Sequence, residues 1–100
     1  MFTQELKKIF DEAVTYAIER MSAVSIWLTE QWLYLKDRID HEMDFYLGVV
    51  IATTLERHMV YAQNKGFTKQ QIISTSPFAA ISIFNMIPTI EEEIKSKLGL

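Results

Sequence analysis

The stretch from Leu6 to Val50, LKKIFDEAVTYAIERMSAVSIWLTEQWLYLKDRIDHEMDFYLGVV, decides the fold. Along it Leu6, Phe10, Ala13, Ala17, Met21, Val24, Leu28, Trp32, Leu35, Ile39, Met43, Tyr46 and Val50 recur at intervals of three or four, the spacing that gathers apolar side chains on one face of an α-helix. A strand would alternate every second residue, so none fits here. No Gly or Pro precedes Gly48. At 1.5 Å per residue an unbroken helix through the stripe would run about 65 Å, longer than a compact domain of this size is wide. The helix must therefore break. The most polar run, Lys36 to Asp44 (KDRIDHEMD), reads as the hairpin, with Lys36 suited to a helix C-terminus and Asp37 or Asp40 to capping the next helix. Ser22 to Ser25 is a second candidate kink, because serine hydroxyls compete for backbone hydrogen bonds.

Outward from this stretch, a second long helix is predicted from about Asp40 to Asn64, ending at Lys65-Gly66, where glycine takes the left-handed conformation. Thr68 followed by Gln71 is a capping-box pattern that opens a short helix. Ser76-Pro77, a cap followed by proline, opens another, and Thr89 with Glu92 repeats the capping pattern for a last one. That last helix carries Glu91/Lys95 and Glu93/Lys97 pairs and stops before Gly99. The expectation is an all-α helical bundle: one domain over residues 1–100, a long antiparallel helix hairpin covered by three short C-terminal helices.

Composition narrows the function classes. Of 100 residues, 49% are hydrophobic, enough for one core but not two. Ten basic against thirteen acidic residues give a formal charge of -3, the wrong sign for neutralising phosphate backbone. The absence of cysteine excludes disulfides, thiolate nucleophiles and thiolate zinc sites. MFTQELKK lacks the apolar core of a secretory signal, and the longest apolar stretch, Phe45 to Ala52, falls well short of the roughly 18 to 20 residues that span a bilayer. A cytoplasmic protein without membrane contact is expected.

Several constellations carry possible chemistry. Asp37, His41 and Asp44 share a helical face, but no Glu-x-x-His set of the kind found in bundle metal sites accompanies them, so no metal and no cofactor is predicted. His41-Glu42 begins like a zincin motif, yet position 45 is Phe where the second ligand belongs. His58 lies on the stripe Leu47, Ile51, Leu55, His58 and Ala62, which directs its imidazole toward the core and makes it a candidate regulatory or ligand-binding residue. Glu56 and Arg57 beside it are grouped with it, facing solvent or paired across helices. Trp27, Trp32 and Tyr34 together are wider than one stripe, so at least one is expected to reach the surface or a partner.

The segment from Gly66 to Phe84 has the outline of a helix-turn-helix, but Phe78 to Ile87 holds no Lys or Arg to meet DNA, and burial is the expectation there. No nucleophile elbow or glycine-rich phosphate loop occurs, so no enzyme is predicted.

FYLGVVIATTLER, Phe45 to Arg57, resembles the PTS-regulation domain, the helical module of bacterial antiterminators and of transcriptional activators of sugar operons. The family's long helix has an aromatic-Leu-Gly start and a Leu-Glu-Arg-like end, and Ile90 to Leu100 looks like its later Ile-Glu...Leu-Gly pattern. The likeness covers about half the chain. It implies five helices, homodimerisation and a regulatory role. Val50 stands where the family's phosphorylated histidine belongs, and His58 follows the arginine instead of preceding it, so the implied form lacks the phosphosite.

The leading functional expectation is a non-catalytic regulatory or protein-interaction module, homodimeric, with its interface at Trp27, Trp32 and Tyr34. A place in bacterial transcription regulation is what the resemblance implies, with other protein partners expected and direct nucleic-acid contact not. The competing expectation is a small bundle that holds a metal or an apolar ligand in its core, with His58 as the polar handle.

Overall fold

The computed structural model describes residues 3–100. Among these residues the chain forms α1 (Gln4–Ala23), α2 (Ser25–Leu35), α3 (Glu42–Asn64), α4 (Lys69–Ser74) and α5 (Ser76–Leu98), and no strand. The molecule is an all-α bundle, as the periodicity requires.

α1 starts where Thr3 caps it, the hydroxyl accepting from the Leu6 N–H at 3.2 Å. It buries Leu6, Ile9, Phe10, Ala13, Val14, Ala17 and Met21, the expected stripe with Ile9 and Val14 added. α3 lies antiparallel to it. Leu6 and Ile9 cluster with Ala62 near the C-terminal end of α3, while Ala17 and Met21 cluster with Tyr46 and Val50 near its start. This is the predicted hairpin, and its turn falls in the polar run. Lys36 ends α2, the Arg38 and Ile39 N–H groups both donate to the Leu35 carbonyl, and α3 begins at Glu42.

The first arm of that hairpin is two helices, not one. Val24 leaves the helix, with φ -111° and ψ 20°, between Ser22 and Ser25. Its N–H still donates to Arg20, and its carbonyl accepts from Leu28 at 2.9 Å, so the interruption is one residue wide. α2 continues from it and contributes one buried residue, Leu28, to the cluster of Met21, Tyr46 and Val50.

α3 ends in a Schellman arrangement. Gly66 takes φ 97°, its N–H donates to Gln63, and the Phe67 N–H reaches back to Ala62 at 3.1 Å. The Thr68 capping box then opens α4 with both reciprocal bonds present, Gln71 N–H to the Thr68 hydroxyl and Thr68 N–H to the Gln71 side chain.

Beyond α4 the expected short helices are replaced by one helix of 23 residues. The Thr89–Glu92 pattern opens no helix; it lies inside α5. Pro88 removes a hydrogen bond to the Phe84 carbonyl and would ordinarily end the helix. Here Ala79, Ile90 and Ile94 are buried at helical spacing on both sides of it, and that continuous face holds the helix together. Pro88 itself is exposed, so water can satisfy the freed carbonyl. Ala79 packs with Phe10 and Val14, and Ile90 and Ile94 pack with Met21 and Tyr46, so α5 runs parallel to α1. The one ion pair on this helix joins Lys95 to Glu92 at 3.8 Å instead of the expected Glu91; both are exposed, and such pairs contribute little.

Candidate functional site

Two regions bring the residues singled out in the sequence to or beneath an accessible apolar surface. The first is the outward face of α2. Leu28 fixes the phase of this helix by pointing at the core. Residues half a turn away must then face water, and these are Ile26, Trp27, Leu33 and Tyr34. Their exposures are 78%, 60%, 62% and 82%. They form pairs seven residues apart on one face, with Glu30 in the middle as its one charge. By the 150–250 Å² that an aromatic side chain offers, Trp27 and Tyr34 alone present roughly 300 Å².

Trp32 belongs elsewhere. It is four residues from Leu28 and shares its inward direction, so it is half-buried against the core, its ring centroid 6.0 Å from that of Phe45. The three aromatic residues predicted as one interface therefore divide: Trp27 and Tyr34 face outward, and Trp32 pins α2 to α3. Ile26 and Leu33 complete the outward face. Their signal was in the sequence, since each lies seven residues from the other and next to an outward aromatic, but reading it needed the helix phase that Leu28 sets.

The second region is a cleft of about 330 Å³ where α3, α4 and α5 meet. α3 supplies Leu55, His58 and Met59, α4 supplies Ile72 and Ile73, and α5 closes it with Ser76, Ala79, Ala80 and Ile83. His58 is 3% exposed, and its ring meets Phe10 of α1 edge-on. Burial holds the imidazole pKa below its ordinary 6.5, which makes the ring neutral at neutral pH. A neutral imidazole offers one donor and one acceptor.

The neighbours of His58 point away from the cleft. Arg57 lies over the Tyr16 ring on α1, its guanidinium carbon 4.3 Å from the centroid, a cation–π contact that joins the two helices. Glu56 is exposed. His58, Glu56 and Arg57 therefore do not converge on one site. At the other end of α3, Tyr46 is fully buried and its hydroxyl donates to Glu42 at 3.0 Å, and burial with this carboxylate pushes its pKa up to about 12. Among the described residues no group of three or more His, Asp or Glu side chains is placed to hold a metal ion, so Asp37, His41 and Asp44 do not come together as one.

The segment from Phe78 to Ile87, expected to be buried, is only half so. α5 packs on α1 and α3 along one side, and a helix apolar all round then shows its other side to solvent. Phe78, Ile81 and Phe84 are 40%, 58% and 73% exposed. A wide, shallow groove between α1 and α5 passes Lys7, Asp11, Phe78 and Ile81. Lys7 is already engaged by Asp11 at 2.9 Å.

No helix among the described residues is long and apolar enough to cross a membrane. Comparison with known protein families, with curated proteins and with solved structures finds no match.

Proposed function

We propose that this protein is a non-catalytic helical interaction module that forms a homodimer through the outward face of α2. The observation that carries this reading is the four large apolar side chains, Ile26, Trp27, Leu33 and Tyr34, held in water on one face around a single charge. The largest apolar patch on a monomer typically measures about 300–600 Å² and is often functional. The two aromatics alone reach the lower bound, and a symmetric dimer needs about 800 Å² from each partner, which the flanks of α2 would complete. Two-fold symmetry pairs the face with itself, so Glu30 lies near the axis, with Trp27 and Tyr34 as the anchors. The regulatory role is what the likeness of Phe45–Arg57 to the PTS-regulation domain implies, and it rests on those short segments alone.

Because the chain contains no cysteine, one introduced thiol reports on this geometry. Glu30→Cys at the centre of the face is expected to form a covalent dimer under mild oxidation, while Glu56→Cys on α3 stays monomeric. Equal cross-linking of the two variants would contradict the reading.

The second reading, a bundle that holds an apolar ligand, is favoured by a different observation, the cleft beside His58.

A further inference from the structure

The outward face of α2 is nearly symmetric about Glu30: Trp27 and Leu33 stand three residues from it, Ile26 and Tyr34 four. One end of that face is hollow and the other protrudes. We infer that two α2 helices pair antiparallel, each seating Tyr34 of the other copy in the groove at the Val24 break; this rests on the α2 dimer proposed above.

The break makes the hollow end. Where Val24 leaves the helix, the end of α1 and the start of α2 enclose a shallow groove of about 480 Å³, whose lining includes Ser22, Val24, Ser25, Ile26, Trp27 and Glu30. Ser22, Val24 and Ser25 are half-buried there, while Ile26 and Trp27 are exposed. The protruding end carries Leu33 and Tyr34, and Tyr34 is the most exposed large apolar side chain among the described residues.

The orientation follows from where these ends go. In a parallel pair the two grooves face each other at one end and the two tyrosines crowd the other, so hollow meets hollow and bulk meets bulk. An antiparallel pair turns one helix end for end about Glu30, and each protruding end lies over the groove of the other copy. Large side chains set opposite recesses are what lets packed layers interdigitate. At 1.5 Å per residue Tyr34 comes about 6 Å past the axis, level with Ile26 of the other copy. Glu30 meets its own copy in both orientations, so its charge does not choose between them.

The side chains then match by type. Ile26 and Leu33, seven residues apart, form one row along the face, and Trp27 and Tyr34 form the other, with Glu30 between. A two-fold axis lying across the helices keeps each row opposite itself. Ile26 meets Leu33 of the other copy, and Trp27 meets its Tyr34 as an aromatic pair. A tyrosine hydroxyl that leaves water needs a partner, and Ser22 and Ser25 offer hydroxyls in the groove.

Single cysteines in a chain that otherwise has none read the orientation. Ile26→Cys and Leu33→Cys leave both aromatic anchors in place, and one of the two variants is made isotopically heavy so that their products differ in mass. Mixed in equal amounts and mildly oxidised, they are expected to give the mixed disulfide as nearly all of the covalent product, against the one half that random pairing gives. Ala23→Trp fills the groove from an exposed position of its lining and is expected to weaken the dimer at least about tenfold in sedimentation, with the melting temperature of the monomer retained. Same-variant or statistical products from a chain that is still dimeric would overturn the antiparallel pairing and leave the dimer standing. A dimer that tolerates Ala23→Trp would overturn the seating of Tyr34 in the groove. Statistical products from a wild type that sediments as a monomer would overturn both the pairing and the dimer.

Discussion

His58 on α3 and Phe10 on α1 meet edge to face, ring centroids 5.4 Å apart and planes inclined at 73°, and this contact holds the imidazole inside the bundle. Leu6 and Ala62 pack on one side of the pair along the helices, and Val14 with Ala79 on the other. The same contact forms one wall of the bundle behind the cleft, so the histidine belongs to packing and to the candidate site at once.

Stability should therefore depend on pH through His58. Its folded pKa is depressed below 6.5, so between the two values the unfolded chain binds more protons than the folded one. The contribution is complete above pH 6.5 and is lost as pH falls from there through the lower folded value. Among the described residues no charged side chain lines the cleft on α3, α4 or α5 to offset the imidazolium, and α1 presents Phe10. Urea unfolding at pH 7.5, 6.5 and 5.5 should show a decline with a slope of at most about 1.4 kcal/mol per pH unit. His58→Gln should flatten that part of the curve.

Trp32 and Trp27 should separate stability from association. Trp32→Ala removes the ring packed on Phe45 and is expected to cost about 3 kcal/mol, read as a lower urea midpoint. Trp27→Ala removes an exposed ring and should change monomer stability by less than about 0.5 kcal/mol. A stability loss of equal size in both would mean that Trp27 is packed in a way this fold does not provide.

The same substitution at two glycines should act in opposite directions. Gly48 lies inside α3, where an added Cβ meets nothing within 4 Å, so Gly48→Ala should stabilise by about 1 kcal/mol. Gly66 ends the helix at φ 97°, a conformation that L side chains resist, so Gly66→Ala should destabilise by about 1–2 kcal/mol. Thermal unfolding of the two variants checks both signs.

Pro88→Ala should also stabilise α5, by about 1–3 kcal/mol, because it restores a donor for the Phe84 carbonyl within an otherwise unbroken helix. A neutral or negative effect in a melting experiment would show that the helix has adapted to the proline.

What was legible in the sequence follows the range of the interactions concerned. The hairpin at KDRIDHEMD, the stop at Gly66 and the capping box at Thr68 are local, and each appears where its residues indicate. The helix that runs through Pro88 is not local, because burial of Ala79, Ile90 and Ile94 outweighs the missing hydrogen bond. Which aromatic faces outward depended on Leu28, a core contact that sets the phase of α2. His58 does face inward, but on a different stripe from the expected one: the buried face of α3 is Tyr46, Val50, Thr54, His58 and Ala62, while Leu55 of the expected stripe is 44% exposed. The cleft was not legible, because Ile73 and Ile83 come beside His58 only after α4 and α5 have folded back over α3.

The outward face of α2 is the central claim, and sedimentation equilibrium of the untagged chain beside Trp27→Ser/Tyr34→Ser tests it most directly. The wild type should sediment as a dimer of 11.7 kDa subunits and the double variant as a monomer, with the urea midpoint of the monomer unit retained. Identical association states for the two proteins, whether both monomeric or both dimeric, would contradict it.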